Sequence, residues 1–230
     1  MSVPAAWADS IARSYSSILF SRSRVVGALL CAATLASPRV FAFGLGSVVL
    51  ANAVATALRL DEHARTEGQF GYNALLVGLG VAATFTGLTP TVFVLALAVV
   101  GSVLFTAAFR AALGASGLPS LSLPFLAVYY LLLSASPLTH LAYGPYAVDH
   151  VAWFPEAFAL FLRSLGSIFF LPRVDAGLLV LLALLLHSRI ATILAVTAFG
   201  AVLFLERHVL SLPEGSMLHI LGYNTVLTAV

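Results

Sequence analysis

Three long stretches of this chain carry no Asp, Glu, Lys or Arg: residues 68–109, 111–148 and 190–205. No other feature constrains the fold as strongly. A helix needs about 20 apolar residues to cross the hydrocarbon core of a bilayer, and the first two stretches are each long enough for two crossings. Inside lipid every backbone N–H and C=O must find a partner within the protein, which leaves helices or a closed barrel. The runs are continuously apolar and do not alternate, which disfavours a β-barrel. Composition agrees: charged residues are 9% of the chain, where a soluble domain carries about a quarter, and the mean hydropathy is +1.05. The expected class is an all-α polytopic membrane protein. The net charge of +2 is small and scattered, so nucleic acid is not a partner; membrane lipid is. Every basic residue is Arg, and the single Cys31 excludes an internal disulfide.

The second constraint is a duplication. Arg13-Ser14-Tyr15-Ser16-Ser17-Ile18-Leu19-Phe20 recurs as Arg163-Ser164-Leu165-Gly166-Ser167-Ile168-Phe169-Phe170, and the match at an offset of 150 continues through Gly27 and Gly177 to Arg39 and Arg189. Ten of the 27 positions from 13 to 39 are identical. Gly71-Tyr72-Asn73 then recurs as Gly222-Tyr223-Asn224 at an offset of 151, which places one extra residue in the loop between the two matches. Low complexity repeats leucines, but it does not repeat Gly-Tyr-Asn in register. The division is a first transmembrane repeat over 1–143, a polar, proline-containing linker over 144–156, and a partial second repeat over 157–230. In the first repeat the apolar segments are 16–37, 40–59, 70–88, 91–111 and 120–137, with breaks at Ser37-Pro38-Arg39 and Thr89-Pro90, where proline disfavours helix continuation. Five crossings is an odd number, so the second copy enters from the opposite side. That is an inverted repeat, an architecture that places a solute path near the repeat interface. Arg13, Arg22 and Arg24 ahead of the first crossing favour a cytoplasmic N-terminus.

Chemistry-bearing residues are sparse. Leu118-Pro119-Ser120-Leu121-Ser122-Leu123-Pro124-Phe125 breaks a helix inside an apolar region, and irregular backbone at membrane depth survives only where it is buried in protein or lines a wet cavity. The alternative is a kinked helix with no ligand. Asn73 and Asn224 are expected to bond between helices. The six histidines share no ligand spacing, so neither a metal nor a cofactor is expected. Gly114-Ala115-Ser116-Gly117 fits the Gly-x-Ser-Gly motif of intramembrane serine proteases, with His140 or His187 as candidate base. That chemistry needs the Ser to open a regular helix, and Leu118-Pro119 follows it at once.

Three motifs, in order along nearly the whole chain, resemble the urea transporter family. Leu-Pro-x-x-Ser-x-Pro-Phe at 118–125 is similar to its Leu-Pro-x-x-Thr-x-Pro-Phe signature, with Ser122 for Thr. Gly-Tyr-Asn-x-x-Leu at 71–76 and 222–227, and Ile-Phe-Phe-x-Pro…Gly-Leu-Leu…Ser-Arg at 168–189, are similar as well. The resemblance implies two inverted five-helix halves, each with a half-membrane pore helix, assembled as a homotrimer with one pore per protomer in a bacterial inner membrane. It implies an aromatic clamp at Phe20 and Phe170, a central apolar constriction at Tyr72, Leu76, Tyr223 and Leu227, and a pore hydroxyl at Ser122. Leu118, Pro119, Pro124 and Phe125 carry the pore-helix motif. Three residues before each clamp Phe the family has an amide or carboxyl, whereas this chain has Ser17 and Ser167.

The implied function is channel-like passage of urea down its gradient, without catalysis. A neutral solute needs no counter-charge, and an intramembrane charge marks an ion or proton path; the longest apolar runs hold none. Another small neutral solute (an amide, ammonia or water) is the alternative, and a rhomboid-like protease a more distant one that leaves the duplication unexplained. A second signature is expected near 269–276, beyond Val230. Without it half of the pore's polar wall is absent, so the expectation is that this polypeptide alone does not form a competent pore, or needs a partner to complete it.

Overall fold

The computed structural model describes residues 3–139, 141–144, 155–206, 208 and 218–229. The expected linker lies almost wholly outside the described residues, as does His140. Among the described residues the chain is helical: α1 (Val3–Ser16), α2 (Arg24–Thr34), α3 (Pro38–Ala57), α4 (Glu62–Thr66), α5 (Gln69–Thr84), α6 (Thr89–Gly114), α7 (Leu123–Thr139), α8 (Glu156–Ser167), α9 (Val174–His187), α10 (Arg189–Leu205) and α11 (Leu218–Ala229). The chain is an all-α polytopic membrane protein.

Two helices are long and apolar enough to cross a bilayer by themselves, α3 and the Thr91–Gly114 part of α6; Leu123–Leu138, α9 and α10 are shorter apolar helices. Helix α5 sits at the centre. Apart from Tyr72 it is buried from Phe70 to Ala82, as a helix with so little polar surface must be. It packs along α3, with α1, α6 and α7 on its other sides.

The apolar segment 16–37 is not one straight helix. It splits into Trp7–Leu19 and Arg24–Thr34, bent by 83°. The bend has a defined cause. The N–H of Phe20 donates to Ser17 O at 3.1 Å and that of Ser21 to Ser16 O at 3.0 Å, which closes the helix end with a Schellman pair of bonds and forces the residue at the turn into the left-handed region. That residue is Phe20, at φ 53°. The chain restarts at Ser23, whose side chain caps Val26 N.

The same construction stands at the end of α8. Phe170 donates to Ser167 O at 2.9 Å and Leu171 to Gly166 O at 3.0 Å, with Phe170 at φ 57°. Other paired positions match in detail. A Cβ on Gly27 or Gly177 would stand 2.0 Å from the carbonyl oxygen of Ala12 or Leu162. One on Gly71 or Gly222 would meet the hydroxyl of Ser14 or Ser164 at 2.1 or 2.3 Å. Those serines donate back to Ser10 O and Leu160 O at 2.7 and 2.9 Å. Helices α2 and α9 pack against each other. The extra residue falls earlier than the sequence match indicates. Ser37 and Ser188 are equivalent N-caps, each accepting from the backbone N three residues on. The offset is therefore already 151 there, and Arg189 is the counterpart of Pro38 rather than of Arg39.

Candidate functional site

Helix α6 ends at Gly114 and α7 begins at Leu123; the proline-bounded turn between them is held by one side chain. Asn73, on α5 and 1% exposed, donates from Nδ2 to Leu121 O at 3.3 Å and accepts at Oδ1 from Phe125 N at 3.1 Å. Both bonds go to backbone at the start of α7, where the first-turn N–H groups have no helical partner. This is the interhelical role expected for Asn73. Leu121 itself is left-handed, at φ 42°.

Above this turn lies a cavity of about 570 Å³. Ser17, Phe20, Gln69, Tyr72 and Asn73 form one wall; Arg110, Gly114, Leu118, Pro119, Ser120 and Leu121 form the other. Five sequence-marked residues thus meet there: Ser17, Phe20, Tyr72, Leu118 and Pro119. Phe20 is 59% exposed, its ring offered to the opening. Ser122 lies against the hydroxyl of Tyr72. Pro124 and Phe125 are buried beneath the turn, and Leu76 is a core residue.

Ser17 Oγ donates to Arg13 O at 2.7 Å, so its proton is spent within its own helix and only lone pairs face outward. Ser167 does the same toward Arg163 O at 2.8 Å. The Schellman closures use the carbonyls of Ser16 and Ser17, and of Gly166 and Ser167. By the geometry of that motif the carbonyls of Ile18, Leu19, Ile168 and Phe169 have no partner ahead of them in the helix. Each turn therefore combines an aromatic ring with a short row of acceptors.

A smaller cavity of about 190 Å³ adjoins the first, sharing Ser17, Phe20, Arg22 and Gln69. Its charges are paired. Arg13 meets Glu67 at 2.6 Å and Asp9 at 3.4 Å, Arg22 lies 3.8 Å from Glu67, and Arg24 pairs with Asp9. Arg110 is 3.3 Å from Asp61.

The second-repeat residues form a separate group. Phe170 packs edge-on to Phe125 at 6.3 Å between ring centroids and against Tyr129 at 6.2 Å. Tyr223 and Leu227 are half-buried against the core. Phe20 and Phe170 hold equivalent backbone positions in different surroundings: one edges an open cavity, the other an aromatic cluster. Sequence reasoning did not mark Tyr129, although its spacing of four from Phe125 put it on the signature's helix face. Ser116 sits on the exposed turn after α6, its N–H bonded to Leu113 O, and does not open a helix.

The sequence matches the family model of the urea transporter over residues 8–230. No curated protein matches it. The family is one of transporters, not enzymes; it supports urea as the solute and an integral membrane protein as the setting. The match takes in nearly all of the chain, from α1 to beyond the second Gly-Tyr-Asn, and the chain belongs to the urea transporter family.

Proposed function

We propose that the protein is a channel for urea, passing it down its gradient along a path clamped by Phe20 and Phe170 between two inverted repeats, 1–143 and 157–230, joined by 144–156. The observation that carries the reading is the pair of left-handed phenylalanines in matching helix closures. Left-handed backbone costs an L-residue about 1–2 kcal/mol, and strain of that kind persists where the surroundings over-determine it, often at functional sites. A flat solute meets an aromatic face on one side and unpartnered carbonyls and serine lone pairs on the other. Urea carries four N–H donors, and leaving a polar group without a partner costs on the order of 1–3 kcal/mol. A wall of acceptors suits that solute as it sheds water. Ser17, Tyr72 and Ser122 supply the polar side chains on the first side, Ser167 and Tyr223 on the second, with Leu76 and Leu227 closing the apolar middle. By family resemblance the assembly is a homotrimer with one path per protomer in a bacterial inner membrane.

Among the described residues, those that line the main cavity lie between Ser17 and Leu121, in the first half of the chain. Stopped-flow light scattering on proteoliposomes of the 230-residue chain under a urea gradient tests the reading. The expected result is fast equilibration with weak temperature dependence, which would also overturn the expectation that a partner must complete the pore. No flux above empty vesicles sinks the channel. Faster flux of water or ammonia than of urea favours the alternative solutes.

A further inference from the structure

Helix α7 places Tyr129 one turn after Phe125 of the signature, and the two rings stack with centroids 5.4 Å apart and planes at 26°. Phe170, from the other half of the chain, closes against both rings. Behind Tyr129 is Gly80 on α5, where a Cβ would stand 2.8 Å from the tyrosine Cε2. At its tip the hydroxyl is 2.5 Å from Thr84 Oγ1 on the same helix. The ring is thus backed by α5 and tied to that helix at its end.

Carbon atoms in contact sit about 3.5–4.0 Å apart, so two aromatic faces with a planar solute between them need roughly 7–8 Å. Tyr129 and Phe170 are 6.2 Å apart between centroids and tilted by 55°. At rest the pair has no room for a solute. A flat molecule requires it to part by about an ångström and align; a molecule whose methyl hydrogens stand out of its plane requires more.

We propose that Tyr129 is a specificity-determining residue of the solute path, its ring and that of Phe170 being the two faces a planar solute parts, and that Thr84 is the positioning residue that limits how far they yield. The proposal rests on the channel reading above and adds to it the residue that grades solutes by thickness.

The test compares urea with acetamide, in which a methyl group replaces one amino group, in separate stopped-flow gradients on proteoliposomes of the full 230-residue chain. Tyr129→Phe keeps the ring and removes the tie; Thr84→Val keeps the shape and removes the hydroxyl. Each is expected to speed acetamide and to lower the urea-to-acetamide permeability ratio about fivefold, the scale of one lost hydrogen bond. Thr84→Ser, which retains the hydroxyl, is expected to hold the wild-type ratio. A merely structural role would slow both solutes together. Wild-type urea flux with an unchanged ratio in Tyr129→Phe and Thr84→Val overturns the proposal alone. Absence of urea flux from the wild-type chain overturns the channel reading, and this inference with it.

Discussion

The segments 3–34 and 156–187 are built alike and surrounded differently. Each runs as a helix into a Schellman closure with a left-handed phenylalanine, then restarts as a second helix pinned to the first by a glycine. Around the first turn stand Asp9, Arg13, Arg22, Arg24 and Glu67 in mutual ion pairs; beside the second, Arg173 pairs with Asp175 at 2.6 Å. Phe20 opens on a cavity, while Phe170 leans on two other rings. What the halves share is backbone geometry and the few side chains that enforce it. The charges and ring contacts, which set access to each turn, are free to diverge.

The glycines give the largest effects. A side chain at Gly27 or Gly177 collides with backbone on the preceding helix, where nothing yields cheaply, and forcing bulk into such a contact typically costs about 1–3 kcal/mol. Gly27→Val and Gly177→Val should each lower thermal stability in detergent, measured by loss of the monodisperse elution peak on heating, and by similar amounts. Damage from only one would break the equivalence. Of the same order is the clasp on the signature turn. Asn73→Leu strands Phe125 N–H and Leu121 C=O, and a buried unsatisfied group costs about 1–3 kcal/mol. Its counterpart Asn224 is exposed, so Asn224→Leu should move the same melting curve much less.

Those two asparagines show what could be read from the sequence. The charge-free runs fixed helices in a membrane, and the repeated Gly-Tyr-Asn fixed equivalent positions, because both depend on patterns that survive without tertiary context. The break at Ser17–Ser23 did not announce itself. It turns at a phenylalanine, with no glycine or proline to mark a left-handed residue. Its one sequence signal was the repeat, since Ser-Ile-x-Phe at both ends of the offset is a demand on backbone rather than on burial. Likewise the extra residue before Ser188 shows only in the caps, and Tyr129 gains its role from Gly80 and Thr84, distant in sequence and close in space.

Replacing the strained phenylalanines sharpens the contrast between exposed and packed. Glycine adopts the left-handed region without penalty, so each Phe→Gly change relieves about 1–2 kcal/mol of backbone strain. Phe20→Gly gives up a ring that is mostly exposed, and should leave the melting temperature unchanged or raised. Phe170→Gly also loses two aromatic contacts, each worth about 0.5–1.5 kcal/mol beyond the area buried, and should be less stable than Phe20→Gly by about 2 kcal/mol. Equal stabilities would mean that Phe170 gains nothing from Phe125 and Tyr129.

The smallest expected change in stability falls at the serines. Ser17 and Ser167 both bond back to the carbonyl four residues earlier, an arrangement close to neutral for a helix, so Ser17→Ala and Ser167→Ala should each shift stability by under about 0.5 kcal/mol. Urea flux should separate them. Ser17 lines the cavity and turns its lone pairs outward, so its loss removes an acceptor from the solute; at about 1 kcal/mol for such a bond the urea permeability falls roughly fivefold. Ser167 is buried, and a solute reaches it only when the rings beside it part. If Ser167→Ala lowers urea flux as much as Ser17→Ala does, the second turn is as open in the membrane as the first, and the aromatic cluster around Phe170 does not act as the tighter end of the path.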